Sequence, residues 1–463
     1  MTLSRREFLL RSGCSAVSVA ALASGIDRFG LVQALAQGTS YRALVCIFLA
    51  GGNDGNNMVV PLDEAGHAAY AAARNAAGLA IAQSNLLPIT PKSIGLDFGL
   101  HPSLTELHPL FAAGRLAIVT NVGPLIQPLS KQEYLSGAPR PYQLFSHSDQ
   151  IAQWQTSIST GTSPTGWGGR VADTFAVNTS GYPLITALAG GVFTRGQLTS
   201  PLTVASAPTP LNQLLVLNGF GTAADEQARL SALNSLRMFD RSSPLVAAAS
   251  DITQQALNLG KDFSVDPTLT TAFPNTTLGN QLKQVAKLIK FNFNSGVPAL
   301  ARQIFFCSLG GFDTHQGQVI TQSNLLTQVG QAMKAFYDAT LELQVESQVV
   351  TFTLSDFGRT FQPAGSAGTV GSDHAWGNHH LVMGGSVVGG DFYGVAGSNG
   401  TTFPTLQLGG PDDTDTRGRW IPTTSVDQYA ATLARWIGVE EANINTVFPQ
   451  LKNFAIRDLR FLI

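Results

Sequence analysis

Three apolar runs in this chain end in small residues and then, almost at once, in an acid. Residues 42–50 (RALVCIFLA) lead into Gly51-Gly52-Asn53-Asp54-Gly55. Residues 302–309 (RQIFFCSL) lead into Gly310-Gly311-Phe312-Asp313-Thr314-His315, and residues 349–354 (VVTFTL) into Ser355-Asp356-Phe357-Gly358-Arg359. An apolar run without polar alternation suits a strand buried on both faces, as in a parallel sheet covered by helices. Such sheets bind ligands outside the carboxyl ends of their strands. Asp54, Asp313 and Asp356 are therefore expected on one rim.

The remaining pattern agrees with that reading. Leu116–Val122 reads as another buried strand, and His380–Gly384 as a further one. Helical spacing appears over 63–77, around Leu104–Phe111, and over 147–157, 223–260, 276–293, 318–345 and 425–437. Strands alternating with helices predict an α/β fold, with a mostly parallel central sheet flanked by helices. The stretch 195–275 breaks the alternation and reads as an insertion or cap. Ser4-Arg5-Arg6-Glu7-Phe8-Leu9-Leu10, followed by small and apolar residues, resembles a twin-arginine export signal. Ala34-Leu35-Ala36 suits cleavage, leaving one large domain over 37–463. The expected route is the twin-arginine translocase, and the expected location is the periplasm or the exterior. No later apolar run is long enough for a spanning helix. Lys and Arg total 28 against 30 acids, so no basic excess exists to bind a nucleic-acid backbone. Cys46 and Cys307 sit inside strands and read as core thiols, whereas Cys14 leaves with the signal.

Crowded carboxylates repel unless a cation lies between them. Histidines stand nearby in sequence: His315, then Asp373-His374-Ala375-Trp376-Gly377-Asn378-His379-His380. Carboxylates with imidazoles suit a divalent ion such as Zn, Mn or Ca, one or two per chain. Ser146 precedes an expected helix, where a hydroxyl is either an N-cap or a nucleophile activated by a neighbouring metal. His147 is either a ligand or a hydrogen-bond donor. Arg359 either grips an oxyanion or pairs with Asp356.

Taken together, the twin-arginine start, Leu49–Gly55, Gly99-Leu100-His101-Pro102, Ser146-His147, Trp154-Gln155-Thr156, Gly310–His315, Ser355–Thr360 and Asp373–His379 resemble the DUF1501 family of exported bacterial proteins. That family is grouped with the alkaline phosphatase–sulfatase superfamily. The resemblance implies a metal-dependent hydrolase of phosphate or sulfate esters acting on a small ester or glycan-derived substrate. The alternative is a non-catalytic binding or assembly protein on the same scaffold. It implies one metal at Asp54 and Asp356, another at Asp313 and His315 with His379 or His380, and Ser146 as nucleophile. Phe357 stands where the superfamily usually has a histidine; His374, oriented by Asp373, is expected to fill that gap.

Overall fold

The computed structural model describes residues 41–175, 184–215, 218–263, 265–294, 300–365 and 369–463. The expected export signal lies outside the described residues. In chain order the strands are β1 (Arg42–Ala50), β2 (Val59–Pro61), β3 (Leu87–Ile89), β4 (Phe98–Leu100), β5 (Leu116–Gly123), β6 (Ile185–Ala187), β7 (Leu202–Thr203), β8 (Arg302–Gly310), β9 (Val349–Ser355), β10 (Asn378–Gly384), β11 (Phe392–Tyr393) and β12 (Thr424–Ser425).

Nine of them form one sheet in the order β11-β5-β10-β9-β1-β8-β6-β7, with β12 also beside β5. The pairs β9–β1, β1–β8, β8–β6 and β6–β7 are parallel. Only β10 is reversed, antiparallel to both β5 and β9. The expected α/β architecture with a mostly parallel sheet is present. The small antiparallel sheet β2-β4-β3 stands apart from it.

Both faces of the large sheet are buried, which explains the unbroken apolar runs. On β1, Val45, Ile47 and Leu49 enter one core, while Leu44, Cys46 and Phe48 enter the other. Cys46 lies opposite Phe306, and Cys307 opposite Ile47. Because side chains alternate along a strand, the two thiols point to opposite faces. Both are free and buried.

The helices follow the expected pattern with local corrections. The stretch 223–260 is two helices, Ala224–Met238 and Pro244–Asp262. The break falls before Pro244, which starts the second helix because its ring tolerates only the first turn. The last long helix, Val426–Ile437, is bounded by a Ser425/Gln428 capping box and by left-handed Gly438. Among the described residues, no helix is long and apolar enough to cross a membrane.

Candidate metal centre

The rim is built from loops that meet backbone to backbone. Gly51 leaves β1 at φ +117°, and a Cβ there would lie 2.3 Å from the Asp313 amide nitrogen. Only glycine permits both that angle and that approach. Behind this junction lies Arg359, whose side chain is fully buried. Its guanidinium donates to the carbonyls of Gly52 (2.9 Å), Ser372 (3.0 Å), Phe312 (3.2 Å) and Gly51, and to Asp313 Oδ1. Arg359 therefore fastens the loops after β1 and β8 to the segment before β10. It has no free edge with which to grip an oxyanion.

The reversal of β10 brings the segment 371–377 to this same rim, because that segment precedes its strand. The helix His147–Thr156 brings His147 from the other side. Phe145, just before that helix, is held at φ +71°. A bulky residue in the left-handed region is strained, and such strain collects at functional sites. Here it places the Phe145 carbonyl 2.7 Å from His374 Nδ1.

His147, Asp313 and His374 each offer a ligand atom, and these atoms lie within 4.8 Å of one another. They are the one such group among the described residues. His147 Nε2 and His374 Nε2 are 3.4 and 3.6 Å from Asp313 Oδ1. His315 flanks the triangle, its Nε2 3.1 Å from Asp313 Oδ1 and 2.9 Å from His374 Nε2. A tetrahedral ion with bonds near 2.05 Å separates its ligand atoms by about 3.3 Å, and these distances bracket that value.

The far nitrogen of each ring is anchored. His147 Nδ1 is 2.7 Å from Asp356 Oδ2, His315 Nδ1 is 3.0 Å from Asp373 Oδ1, and His374 Nδ1 meets the Phe145 carbonyl. All three partners are acceptors, so each Nδ1 carries the hydrogen. Three Nε2 atoms then face one carboxylate, and the 2.9 Å between those of His315 and His374 is spanned by a proton on one of them or by a cation between them. Lone pairs converging on an anion call for a cation, and histidines backed by carboxylates or carbonyls are characteristic of metal ligands. His147 Nε2 is buried and lacks any hydrogen-bond partner.

The electrostatics follow the contacts. The hydrogen bond to Asp356 raises the His147 pKa above its ordinary value, against the effect of burial. Burial, with the nearby His147, Arg359 and His315, lowers that of His374 against the pull of the Phe145 carbonyl. Burial acts to raise the Asp313 carboxyl, but Arg359 and the two adjacent imidazoles, His147 and His315, hold it below the usual range. Asp373 is likewise held low, against burial, by Arg417 and His315.

Other expected site residues lie elsewhere. Asp54 is fully buried and paired with Arg74 at 2.6 Å. Its carboxylate also accepts from the Asn56 amide and from Gln318 Nε2. Asp356 accepts from the Gly51 amide at 2.9 Å as well as from His147, so both of its oxygens are engaged. His379 accepts from the Asn121 amide and stacks on Phe403. His380 packs against Trp154 and Tyr429. Burial pushes both rings down to about 3, so they stay neutral in the core. Ser146 sits at the N-cap position, yet its hydroxyl does not cap the helix. It lies 2.5 Å from Asp149 Oδ2 instead.

Sequence reasoning missed Arg74, Arg417 and Arg419. Arg74 carried a signal, as the one arginine or lysine in the Ala-rich stretch EAGHAAYAAAR. The two loop arginines carried none.

No curated protein matches the chain in sequence. Similar solved structures include the Zn complex of the C-terminal periplasmic domain of EcEptC from Escherichia coli, at 10% identity and TM-score 0.30, covering 75% of this chain and 74% of that one. The PsFucS1 sulfatase from Pseudoalteromonas sp. matches at 9% identity and TM-score 0.29, over 78% and 68%. The phosphonate monoester hydrolase of Agrobacterium radiobacter matches at 10% identity and TM-score 0.28, over 86% and 74%. A family model described as "Protein of unknown function (DUF1501)" matches residues 41–405, and the chain belongs to that family.

Proposed function

We propose that the protein is an exported, metal-dependent hydrolase of phosphate or sulfate esters, working through one divalent ion. The observation that carries this reading is the convergence of His147, His315 and His374 on Asp313, with the far nitrogen of each ring anchored. Three nitrogens and one oxygen suit zinc or a similar borderline ion. When bound, the ion supplies positive charge to the ester oxygens as charge builds on them. In this reading Asp356 and Asp373 are not ligands but orient His147 and His315. Arg359 fixes Asp313 from below. Ser146 is the nucleophile, and Asp149, already hydrogen-bonded to its hydroxyl, is placed to take the proton.

The test is elemental analysis of the purified protein, followed by a panel of aryl phosphates, aryl sulfates and phosphonates. About one bound ion per chain and turnover of an oxyanion ester are expected. Folded, metal-free protein that turns over nothing after metal addition would sink the reading. A second reading, a non-catalytic binding or assembly protein, draws on Arg74. That side chain occupies the place beside Asp54 where a second ion was expected, so part of the rim is structural. A metal-loaded protein silent across the whole panel would favour it.

A further inference from the structure

Among the described residues of the rim, Arg359 is buried and committed, so it does not reach outward to an anion. The loop 409–420 supplies two candidates. It is organised around Asp413, a fully buried acid. Asp413 Oδ2 accepts from the amides of Gly409 (2.9 Å) and Gly418 (2.8 Å), and Oδ1 from those of Asp415 (3.2 Å) and Arg419 (3.0 Å). Four backbone donors on one carboxylate give the loop a defined shape. Gly418, at φ +70°, lies against Phe361, where a Cβ would sit 2.3 Å from the phenylalanine Cβ.

This loop delivers Arg417 and Arg419 to the edge of the candidate metal centre. Arg417 Nη2 donates to Asp373 Oδ2 at 2.6 Å, and the other oxygen of that acid holds His315. Arg419 donates through Nε to the His374 carbonyl at 2.9 Å and through Nη1 to Asp415 at 2.7 Å. Its guanidinium lies over the Phe145 ring, 4.8 Å from the centroid. Among the described residues, Nε and Nη1 of Arg417 and Nη2 of Arg419 meet no acceptor. Asp313, His315, Asp373 and Arg417 are linked in turn by contacts, and each is about a third or more open to solvent. The open side of the centre therefore runs outward onto Arg417, with the less exposed Arg419 behind His374.

We infer that Arg417 and Arg419 form an anion subsite beside the metal centre, so that the substrate carries a second anionic group next to the ester that is cleaved. This rests on the proposed hydrolase reading. Guanidinium groups partly fixed by a protein acid still present N–H edges suited to sulfate, phosphate or carboxylate oxygens. Arg417 stands one carboxylate outside His315 and Arg419 lies against the backbone of His374, so both are beside the histidines rather than among them.

The experiment is calorimetric titration of the metal-assayed protein with sodium sulfate and with sucrose octasulfate, a polyanion that is not hydrolysed on the timescale of a titration. Wild-type protein should bind the polyanion at least about tenfold tighter than sulfate. Arg417→Gln with Arg419→Gln should abolish that advantage in protein that still binds metal, with metal content and melting temperature measured on the same sample because Arg417 also holds Asp373. Arg419→Gln alone, which leaves the Arg417–Asp373 pair in place, should remove part of it. The inference is overturned if wild type shows no preference, if the double variant keeps it, or if preference and metal disappear together, which would make the arginines positioning residues only. Binding needs no turnover, so a catalytically silent protein that shows the preference would fail the hydrolase reading and leave the anion subsite standing.

Discussion

Asp54 and Asp313 begin as the same sequence device, an acid shortly after a glycine pair at the end of a buried strand, and they finish in opposite environments. Asp54 is sealed, with its side chain and that of Arg74 both wholly inaccessible. The five guanidinium N–H groups of Arg74 are matched by Asp54, Asn57 and the carbonyls of Phe361 and Thr360. Asp313 is half open, with three imidazoles around it. One acid carries its own cation on a neighbouring helix. The other shares an exposed site with three imidazoles and touches Arg359 from its buried side, which leaves its open side facing the ring nitrogens. The acid and its strand do not decide the role; the partner brought by a distant element does.

This contrast can be broken most forcefully at Arg74. Arg74→Met leaves Asp54 buried without its cation, a change that costs about 3–5 kcal/mol. Denaturant unfolding should show that loss with little change in bound metal; a stable variant that gains a second ion would show that the arginine excludes one. His374→Ala should act in the reverse sense, with metal affinity falling by more than about 100-fold, since even outer partners are worth about 10–100-fold. The metal-free melting temperature should change little, as read by competitive chelation and thermal scans. Asp373→Asn and Asp356→Asn should each weaken the ion by about 10–100-fold through loss of ring orientation. An unchanged affinity in both would remove the orienting role.

A separate effect, confined to a pH window, is expected far from the rim, at Asp427. This fully buried acid lies in the first turn of the helix Val426–Ile437, and neither of its oxygens has a well-formed hydrogen bond among the described residues. Burial pushes its carboxyl up to about 7, against the pull of Ser157 and Arg170. A carboxyl raised on folding destabilises as it is forced to ionise. Below the usual carboxyl pKa, near 4, both states are protonated and no penalty exists. As pH rises towards 7 the unfolded chain releases its proton first, and stability falls. Asp427→Asn should therefore gain melting temperature over the parent progressively from pH 5 to 7, then hold a constant gain. A pH-independent difference would contradict the assignment.

Much of this organisation was readable in the chain. Strands buried on both faces declared themselves through unbroken apolar runs, and the strand-to-acid junctions marked the rim. The carboxylate–histidine chemistry is legible as composition, since Asp313, His315 and His374 all stand close to strand ends in the sequence. Their grouping is not, because it depends on tertiary placement. Nothing in the order of residues says that His379 and His380 would turn into the core while His374 faces out. Nor does it say that Asp356 would engage His147 through one oxygen and the Gly51 amide through the other. For Arg359 the sequence leaves open an oxyanion grip or a pair with Asp356, because the carbonyls that bury and engage it are visible only once the fold is in place.

The irregularity where β10 meets β5 sets the scale of tolerance. Asn378 lies opposite Val122 and His380 opposite Val119, so one extra residue is taken up on β5, where Asn121 adopts φ +48°. A strand advances about 3.3 Å per residue, whereas metal–ligand distances hold to within about 0.2 Å. Deleting that single residue would draw His374 along the rim by more than the length of a coordinate bond. The placement of the segment that carries His374 is thus indexed to a miscount between two neighbouring strands.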